Sequence, residues 1–252
     1  MPATRAACSG SRCEMSEAND RPAGYRRDHH ESDPPWLSPE LKATRLRAPG
    51  QPLVSLTHTL SEVTGPVFSH NTVEEHEKDL TRQHAEPPIG QRIILSGRVR
   101  DSDGRPVPNS LLEIWQANSA GRYTHKSDTY EAPIDPNFAG VGRCLTDDAG
   151  RYQFVTIKPG PYPFANHFNA WRPAHIHFSV FGRAFITRMV TQMYFPGDPL
   201  LAQDPVFNSI PDAAGRQRLL CAFDLDATVA DWANAYIFDI VLRGPEATPM
   251  EH

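Results

Sequence analysis

The sequence lacks the features that mark membrane, secreted and nucleic-acid-binding proteins. No apolar run approaches the roughly 18 residues that a membrane helix needs, and residues 1–20 lack the apolar core of a secretory signal. No block of basic residues stands out, and the formal net charge is −5. The sequence therefore predicts a cytoplasmic protein that binds neither membranes nor nucleic acid.

Cysteine is also scarce, with 4 residues in a chain of 252. The cysteine spacing matches no zinc or redox motif, so free thiols in a reducing compartment are expected. Proline and glycine are by contrast plentiful, at 24 and 16 residues. They divide the chain into short segments, which favours turns and short strands over long helices.

Composition divides the chain into three parts. Residues 1–33 are rich in small and charged residues and predict a disordered tail. Residues 34–88 are interrupted by prolines and predict an irregular arm that lies across a core or contacts a partner. Residues 89–252 hold strand-like segments joined by turns, which predicts the main domain. The predicted fold class is all-β, an antiparallel β-sandwich with few short helices.

Six segments of the main domain have the composition of strands. They are residues 92–100, 110–116, 151–157, 175–181, 188–194 and 236–242. One helix is predicted over residues 212–223, with Asp212 as its N-cap and an apolar stripe near its end.

Two histidines one residue apart are the most informative feature of the chain. His175 and His177 lie in a predicted strand, where side chains alternate, so both point to the same face. Imidazole binds iron, zinc, copper and nickel, so the pair alone names no metal. Tyr123 follows a predicted strand, and Tyr162 is flanked by prolines that fix its backbone. A phenol held beside two imidazoles suggests a metal ligand, although a single tyrosine is more often a packed side chain with a bonded hydroxyl.

Longer motifs give these residues a specific context. The segments WQANSAGRYTHKSD, APIDPNFAGVGRCLTDDAGRY, TIKPGPYP, WRPAHIHFSV, TQMYFPGDPL and FDIVLRG occur in order. Together they resemble the β chains of protocatechuate 3,4-dioxygenases, in the family of intradiol ring-cleaving dioxygenases with non-haem ferric iron. Weaker similarity through LVSLTHTLSEVTGPVFSH extends the resemblance over roughly four-fifths of the chain.

The resemblance implies a metal site of two tyrosines and two histidines, at Tyr123, Tyr162, His175 and His177. Phenolate is a hard anionic donor that stabilises Fe(III), and a bound cation holds the phenol deprotonated. Zinc sites, or Fe(II) sites of two histidines and one carboxylate, would use different partners. We therefore expect one non-haem Fe(III) ion per chain.

The resemblance also implies roles for the residues around the iron. Tyr162 is expected to leave the metal when the catechol binds and then to accept a substrate proton. Arg172 is expected to stabilise negative charge that develops on the substrate, and Gln192 to position Arg172. A surface salt bridge for Arg172 and a structural hydrogen bond for Gln192 are the alternative roles.

Three further residues are expected substrate contacts. Trp115 is one, with core packing as the alternative. Phe164 stands where the β chains often carry Trp, and it would wall the iron pocket. Arg47 matches the family pattern, whereas Leu41 stands where an N-terminal Tyr would approach the substrate. The Phe164 and Leu41 departures both bear on substrate preference.

The predicted function is cleavage of protocatechuate with O2 to 3-carboxy-cis,cis-muconate, a step of aromatic catabolism, with residues 89–252 as the catalytic domain. The expected partner is a homologous α chain that lacks iron ligands, in αβ protomers of a higher oligomer. Catechol-specific relatives carry a helical dimerisation segment that the broken arm does not match. The alternatives are another catechol or hydroxyquinol as substrate, a cupin-like Fe(II) oxygenase, and a non-catalytic structural subunit.

Overall fold

The computed structural model describes residues 32–52, 73–164, 171–181 and 188–250, and the predicted disordered tail over residues 1–33 falls almost entirely outside them. The strands of the described residues are β1 Arg92–Arg100, β2 Leu111–Trp115, β3 Val141–Leu145, β4 Arg151–Ile157, β5 Tyr162–Pro163, β6 Trp171–Arg172, β7 His175–Phe181, β8 Met189–Tyr194, β9 Ala222–Val229, β10 Ala233–Ile237 and β11 Ile240–Val241. Short α-helices span Thr44–Arg47, Pro205–Asn208 and Ala213–Gln217, and 3-10 helices span Glu75–Lys78 and Pro199–Gln203.

The strands form two main sheets and one short ladder. The first sheet has the order β3-β2-β7-β8, and all its pairs are antiparallel. In the second sheet β1 lies between β4, which is antiparallel to it, and β10 and β11, which are parallel to it. β9 forms the outer edge beside β10, and β5 pairs with β6. The predicted all-β, antiparallel fold is confirmed, except that β10 and β11 lie parallel to β1.

The hydrophobic core lies between the two main sheets. Alternating side chains of β1 and β7 meet there, because strand side chains point to opposite faces in turn. The buried cluster includes Ile93, Leu95, Val99, Ile176, Phe178 and Val180. Burial of these aliphatic and aromatic groups is the main source of stability for such a sandwich.

The predicted helix over residues 212–223 is correct at its start and wrong at its end. The Asp212 carboxylate accepts hydrogen bonds from the backbone N–H groups of Ala214 and Gly215, and the helix ends at Gln217. The following residues become β9 because they pair with β10, a contact between segments that local composition does not reveal. The apolar stripe instead packs Leu219 against Tyr194 at the end of β8.

The described parts of the arm lie against the main domain. Leu41 and Thr44 are buried, and the Asp33 carboxylate accepts a hydrogen bond of 2.8 Å from the Met250 N–H. Further along, Glu77 pairs with Arg143 on β3.

The cysteines of the main domain are free thiols, as predicted. Cys144 and Cys221 are both buried and unpaired, whereas Cys8 and Cys13 lie outside the described residues. Burial raises the pKa of each of the two thiols to about 12. Among the described residues, no helix is both long and apolar enough to cross a membrane.

Candidate metal centre

Strand β7 is buried on both faces, although only one face meets the core. The opposite face carries His175, His177 and Ser179, which are 1%, 9% and 0% exposed. The ring centroids of His175 and His177 lie 4.9 Å apart. The alternation of the strand therefore places the two histidines side by side, as predicted. Both side chains are buried, so this face of the strand is not exposed to solvent.

The neighbouring strands hold His177 from both sides. Trp115 on β2 is its cross-strand partner, and the two rings stack with centroids 4.7 Å apart and an angle of 6°. Gln192 on β8 is the partner on the other side. Trp115 thus contacts a predicted ligand, and this stack fixes the plane of the His177 ring.

Of the two predicted tyrosine ligands, Tyr162 lies against His175, and Tyr123 packs against Tyr162. Tyr162 lies on β5, paired with Arg172 on β6, and its Oη lies 3.1 Å from His175 Nε2. The ring of Tyr123 packs edge-on against Tyr162, with centroids 5.3 Å apart. The structure thus brings all four predicted ligands, His177 included, into one cluster of rings.

The chemistry of these side chains fits a metal ion. His175 Nδ1 lies 2.7 Å from the Pro173 carbonyl, which can only accept, so Nδ1 carries the proton and Nε2 faces Tyr162. Burial, and then the charges of Arg172 and His177, lower the pKa of His175 well below its usual range. His175 is therefore the neutral imidazole that binds metals, oriented by a backbone carbonyl as metal-ligating histidines are.

The spacing of the donor atoms also fits. Ligand atoms bound at about 2 Å to one metal lie roughly 3 Å apart, which matches the 3.1 Å between Tyr162 Oη and His175 Nε2. Across the described residues, no three His, Cys, Asp or Glu side chains cluster so as to hold a metal. Among the described residues, Tyr162 is the oxygen donor that lies against the histidine pair, and Tyr123 packs on it.

A residue that the sequence analysis missed joins the loops of the two tyrosines. The side chain of Asn118, which is 5% exposed, accepts hydrogen bonds from the N–H groups of Ala120 and Arg122. Its backbone carbonyl accepts from the Gly160 N–H at 2.9 Å. Asparagine before a glycine in WQANSAGRY is a turn signal that could have identified this residue.

A close backbone approach completes the junction of these loops. Gly121 has a φ of +79°, and a Cβ there would lie 2.1 Å from the Pro161 carbonyl oxygen. Only glycine combines this backbone conformation with such an approach. The two loops can therefore set Tyr123 and Tyr162 against each other.

Arg172 lies at the centre of a buried network beside the rings. Its Nη2 donates to Gln192 Oε1 at 2.6 Å, to Tyr194 Oη at 2.9 Å and to Asp204 Oδ2 at 3.0 Å. Its Nη1 lies 3.0 Å from His175 Nε2. The predicted proximity of Arg172 to Gln192 and to the cluster is thus observed. A surface salt bridge does not describe Arg172, which is 3% exposed.

Sequence reasoning did not identify Tyr194 and Asp204. Tyr194 lies two residues after Gln192 on the same strand face, and the period of two was a usable signal for it. Asp204 precedes Pro205 and caps the helix Pro205–Asn208, a context that indicates only a helix start.

The remaining predicted substrate contacts lie at different distances from the cluster. The guanidinium of Arg172 lies 5.4 Å from the ring centroid of Phe164, which places Phe164 at the site. Arg47 is exposed on the arm, beside a cavity of about 40 Å³ that Leu41, Gln192 and Tyr194 also line. Arg47 thus lies behind the arginine network rather than among the rings.

Comparisons with known proteins show the family of this chain. Residues 63–244 match a family model described as dioxygenase, and residues 25–59 match one described as protocatechuate 3,4-dioxygenase beta subunit N terminal. Over 222 residues the chain is 53% identical to a protocatechuate 3,4-dioxygenase beta chain of Burkholderia cepacia, covering 87% of this chain and 94% of that one. Over 206 residues it is 31% identical to an alpha chain of Pseudomonas putida, covering 78% and 97%.

A solved structure supports the fold. The 3-chlorocatechol 1,2-dioxygenase of Rhodococcus opacus 1CP matches with a TM-score of 0.52 and 25% identity, covering 73% of this chain and 72% of that one. Fold and sequence together define an intradiol dioxygenase. Within that class, the chain belongs to the family of protocatechuate 3,4-dioxygenase beta chains.

Proposed function

We propose that this chain carries the non-haem iron of a protocatechuate 3,4-dioxygenase and cleaves protocatechuate with O2 to 3-carboxy-cis,cis-muconate. The observation that carries the proposal is the ring cluster, in which Tyr162 Oη and His175 Nε2 lie 3.1 Å apart. The substrate is inferred from the name of the relative that is 53% identical.

Tyr123, Tyr162, His175 and His177 would hold one Fe(III) ion. Two phenolates offset two of its three positive charges, and both histidines serve as neutral donors. When bound, the ion would act as a Lewis acid that binds both catechol oxygens and makes the ring reactive toward O2.

Tyr162 and Arg172 are the proposed catalytic side chains. Tyr162 Oη would accept a proton from a catechol hydroxyl, and it lies 3.5 Å from Arg172 Nη1. The buried cation of Arg172 would then stabilise negative charge on the substrate, an effect that is strong where water is excluded. Gln192 would keep Arg172 in place through its Oε1.

Other side chains would shape the pocket. Trp115 would fix the His177 ring by stacking, and Phe164 would form a wall beside Arg172. Arg47 stays a proposed substrate contact, supported by its place beside the cavity that Gln192 lines.

A homologous alpha chain is the proposed partner. The similarity of this chain to both beta and alpha chains supports an assembly of two related subunits. Trp171, next to Arg172, is 40% exposed and packs edge-on against Tyr130. Such an aromatic rim beside the site suits contact with a partner.

The visible spectrum of the iron-loaded protein, before and after anaerobic addition of protocatechuate, tests the proposal. We expect tyrosinate-to-Fe(III) charge transfer, a shift on substrate addition, and 3-carboxy-cis,cis-muconate once O2 is admitted. Rates with catechol and hydroxyquinol, measured in parallel, rank the substrates. A colourless protein whose Tyr162→Phe variant still binds iron would indicate the Fe(II) alternative. A protein that is inactive both alone and together with the homologous alpha chain would indicate a structural subunit.

A further inference from the structure

We propose that Asp204 is a positioning residue for this reaction, because it fixes which edge of Arg172 faces the substrate and balances its charge. This inference rests on the proposed function. Asp204 does not touch the ring cluster, and it would act only through Arg172.

The contact between the two side chains is a buried two-point ion pair. Arg172 Nε donates to Asp204 Oδ1 at 3.0 Å, and Arg172 Nη2 donates to Oδ2 at 3.0 Å. The side chains of Arg172 and Asp204 are 3% and 0% exposed. Two parallel hydrogen bonds between a planar guanidinium and a carboxylate fix direction as well as distance.

This pairing decides what the guanidinium presents to the site. With Nε and Nη2 directed toward Asp204, Nη1 is the nitrogen that faces His175 Nε2, at 3.0 Å, and Tyr162 Oη, at 3.5 Å. If the guanidinium turned within its own plane, a nitrogen other than Nη1 would face the rings, and the positive charge would move away from them. Asp204 therefore holds the charge on the side where the substrate ring would bind.

The other partners of Arg172 cannot replace this carboxylate. Gln192 and Tyr194 also accept from Nη2, but neither is a carboxylate that can pair with two guanidinium nitrogens at once. Tyr162 lies 3.5 Å from Nη1, but its negative charge would be shared with the proposed iron. A buried cation without a counter-charge is strongly unfavourable, and beside a trivalent ion the guanidinium would also be repelled. Asp204 therefore supplies a counter-charge of its own to the cation that is buried next to the proposed iron.

The orientation of Asp204 is itself set from outside the site. Its carboxylate accepts from the N–H groups of Val206 and Phe207 at the start of the helix Pro205–Asn208. Phe207 is buried against Tyr194, with ring centroids 5.1 Å apart. The carboxylate is thus held in place by contacts that lie outside the ring cluster.

Asp204→Asn and Asp212→Asn form a matched pair of variants. Asp212 also caps a helix, by accepting from Ala214 and Gly215, and also faces an arginine, Arg218, at 3.3 Å. In both variants asparagine keeps the shape and one acceptor oxygen for the cap, and it removes the charge and the second acceptor. For Asp204→Asn we expect kcat to fall about 10- to 100-fold, the usual loss for a residue that orients a ligand or catalytic group. We expect KM to change less than about three-fold, and iron content and charge-transfer colour to be retained. Asp212→Asn should resemble the wild type.

A double-mutant cycle with Arg172→Lys separates positioning from general structure. Lysine cannot form the two-point contact, so Asp204→Asn should cost less than about three-fold in kcat in that background. A full and independent loss there would overturn the proposal. The same cycle is measured on the metal-free protein by urea unfolding, where the two substitutions should again be non-additive.

The outcomes distinguish this inference from the proposed function. A folded wild type that, iron-loaded and together with the alpha chain, cleaves no catechol refutes the proposed function, and the unfolding cycle still tests the pairing of Asp204 with Arg172. An active wild type whose Asp204→Asn variant turns over at the same rate refutes only the positioning role. If Asp204→Asn does not fold, Asp204→Glu replaces it. Glutamate keeps the charge but displaces it by one methylene, so unchanged turnover in that variant would overturn the proposal.

Discussion

The two faces of β7 are both buried, but by different parts of the molecule. The inner face carries Ile176, Phe178 and Val180 against the second sheet, where burial of apolar surface stabilises the fold. The outer face carries His175 and His177 beneath loops and aromatic rings, where burial of polar groups is unfavourable unless they are bonded. Because side chains alternate along β7, residues that stabilise the core and residues of the candidate metal site lie next to each other in the sequence but on opposite faces of the strand.

This difference implies that neighbouring residues on β7 can be mutated to opposite effect. A change on the inner face should affect unfolding, and a change on the outer face should affect metal binding and turnover. Four experiments test the comparison, beginning with the largest expected free-energy change.

Phe178→Ala should lower the free energy of unfolding by about 3–5 kcal/mol, because it leaves a cavity in a packed core. The Phe178 ring contacts Phe238 and Tyr152, with centroids 5.2 Å and 5.9 Å away. Urea unfolding of the metal-free protein measures the change. Phe223→Ala is the control, because Phe223 is 50% exposed at the sheet edge. Equal losses for the two variants would show that the inner face of β7 is not the main core.

His177→Ala should lower kcat by more than about 100-fold. Mutation of a residue that only hydrogen-bonds to a metal ligand already lowers activity by up to about 100-fold, and loss of a ligand should lower it further. The free energy of unfolding of the metal-free protein should change far less than for Phe178→Ala. Steady-state kinetics with iron analysis provides the measurement. His84→Ala, at an exposed position, should behave as the wild type. Iron bound at full occupancy in His177→Ala would remove this residue from the proposed ligand set.

Gly121→Ala should cost about 1–3 kcal/mol more than Gly104→Ala, the usual penalty of forcing atoms into packed space. The two glycines have nearly the same φ, +79° and +78°, but an added Cβ meets the Pro161 carbonyl only at Gly121. Because the loops of Tyr123 and Tyr162 would be pushed apart, charge-transfer colour should also weaken. Equal unfolding free energies for the two alanine variants would contradict the close packing of these loops.

Glu77→Gln should have the smallest effect, and one that depends on pH. The hydrogen bond from Arg143 lowers the pKa of Glu77 below its ordinary value of 4.5. The folded state therefore favours the ionised form of Glu77 more than the unfolded state does. The stabilisation that this ion pair gives is present above about pH 4.5 and is lost as the pH falls through the folded pKa. Arg143 is 37% exposed, so solvent screening limits the gain to about 0.5 kcal/mol.

Urea unfolding at neutral pH and at about pH 3 measures this difference. Glu75→Gln serves as the control, because Glu75 is 86% exposed in its pair with Lys78, and no measurable change is expected. A loss that is the same at both pH values would mean that the Glu77 charge plays no part.

The sequence predicts β7 well and β9 badly, for a physical reason. In β7 the alternation and the two histidines are local, so the bounds and the shared face of His175 and His177 could be predicted. In β9 most residues are exposed on both faces, so no period of two marks the strand. It is a strand because it pairs with β10, which composition does not encode.

The same distinction holds for the candidate site. Tyr123, Tyr162, His175 and His177 could be proposed because each lies in a motif with a recognisable context. Asp204 could not, because its role depends on a partner, Arg172, that is 32 residues away in the chain. Residues that position others are identified only when the chain brings the segments together.

The parallel neighbours of β1 have a consequence for the order of folding. Ile93 of β1 pairs with Asn234 of β10, and the Arg98 N–H donates to Asp239, 141 residues later in the chain. The four strands of the sheet of β2, β3, β7 and β8 all end by Tyr194, which also bridges to Leu220. Contacts between distant segments form slowly, so a growing chain would display the edge of β1 until its last strands are made. The histidine strand thus acquires its sheet neighbours before the sheet behind it can close.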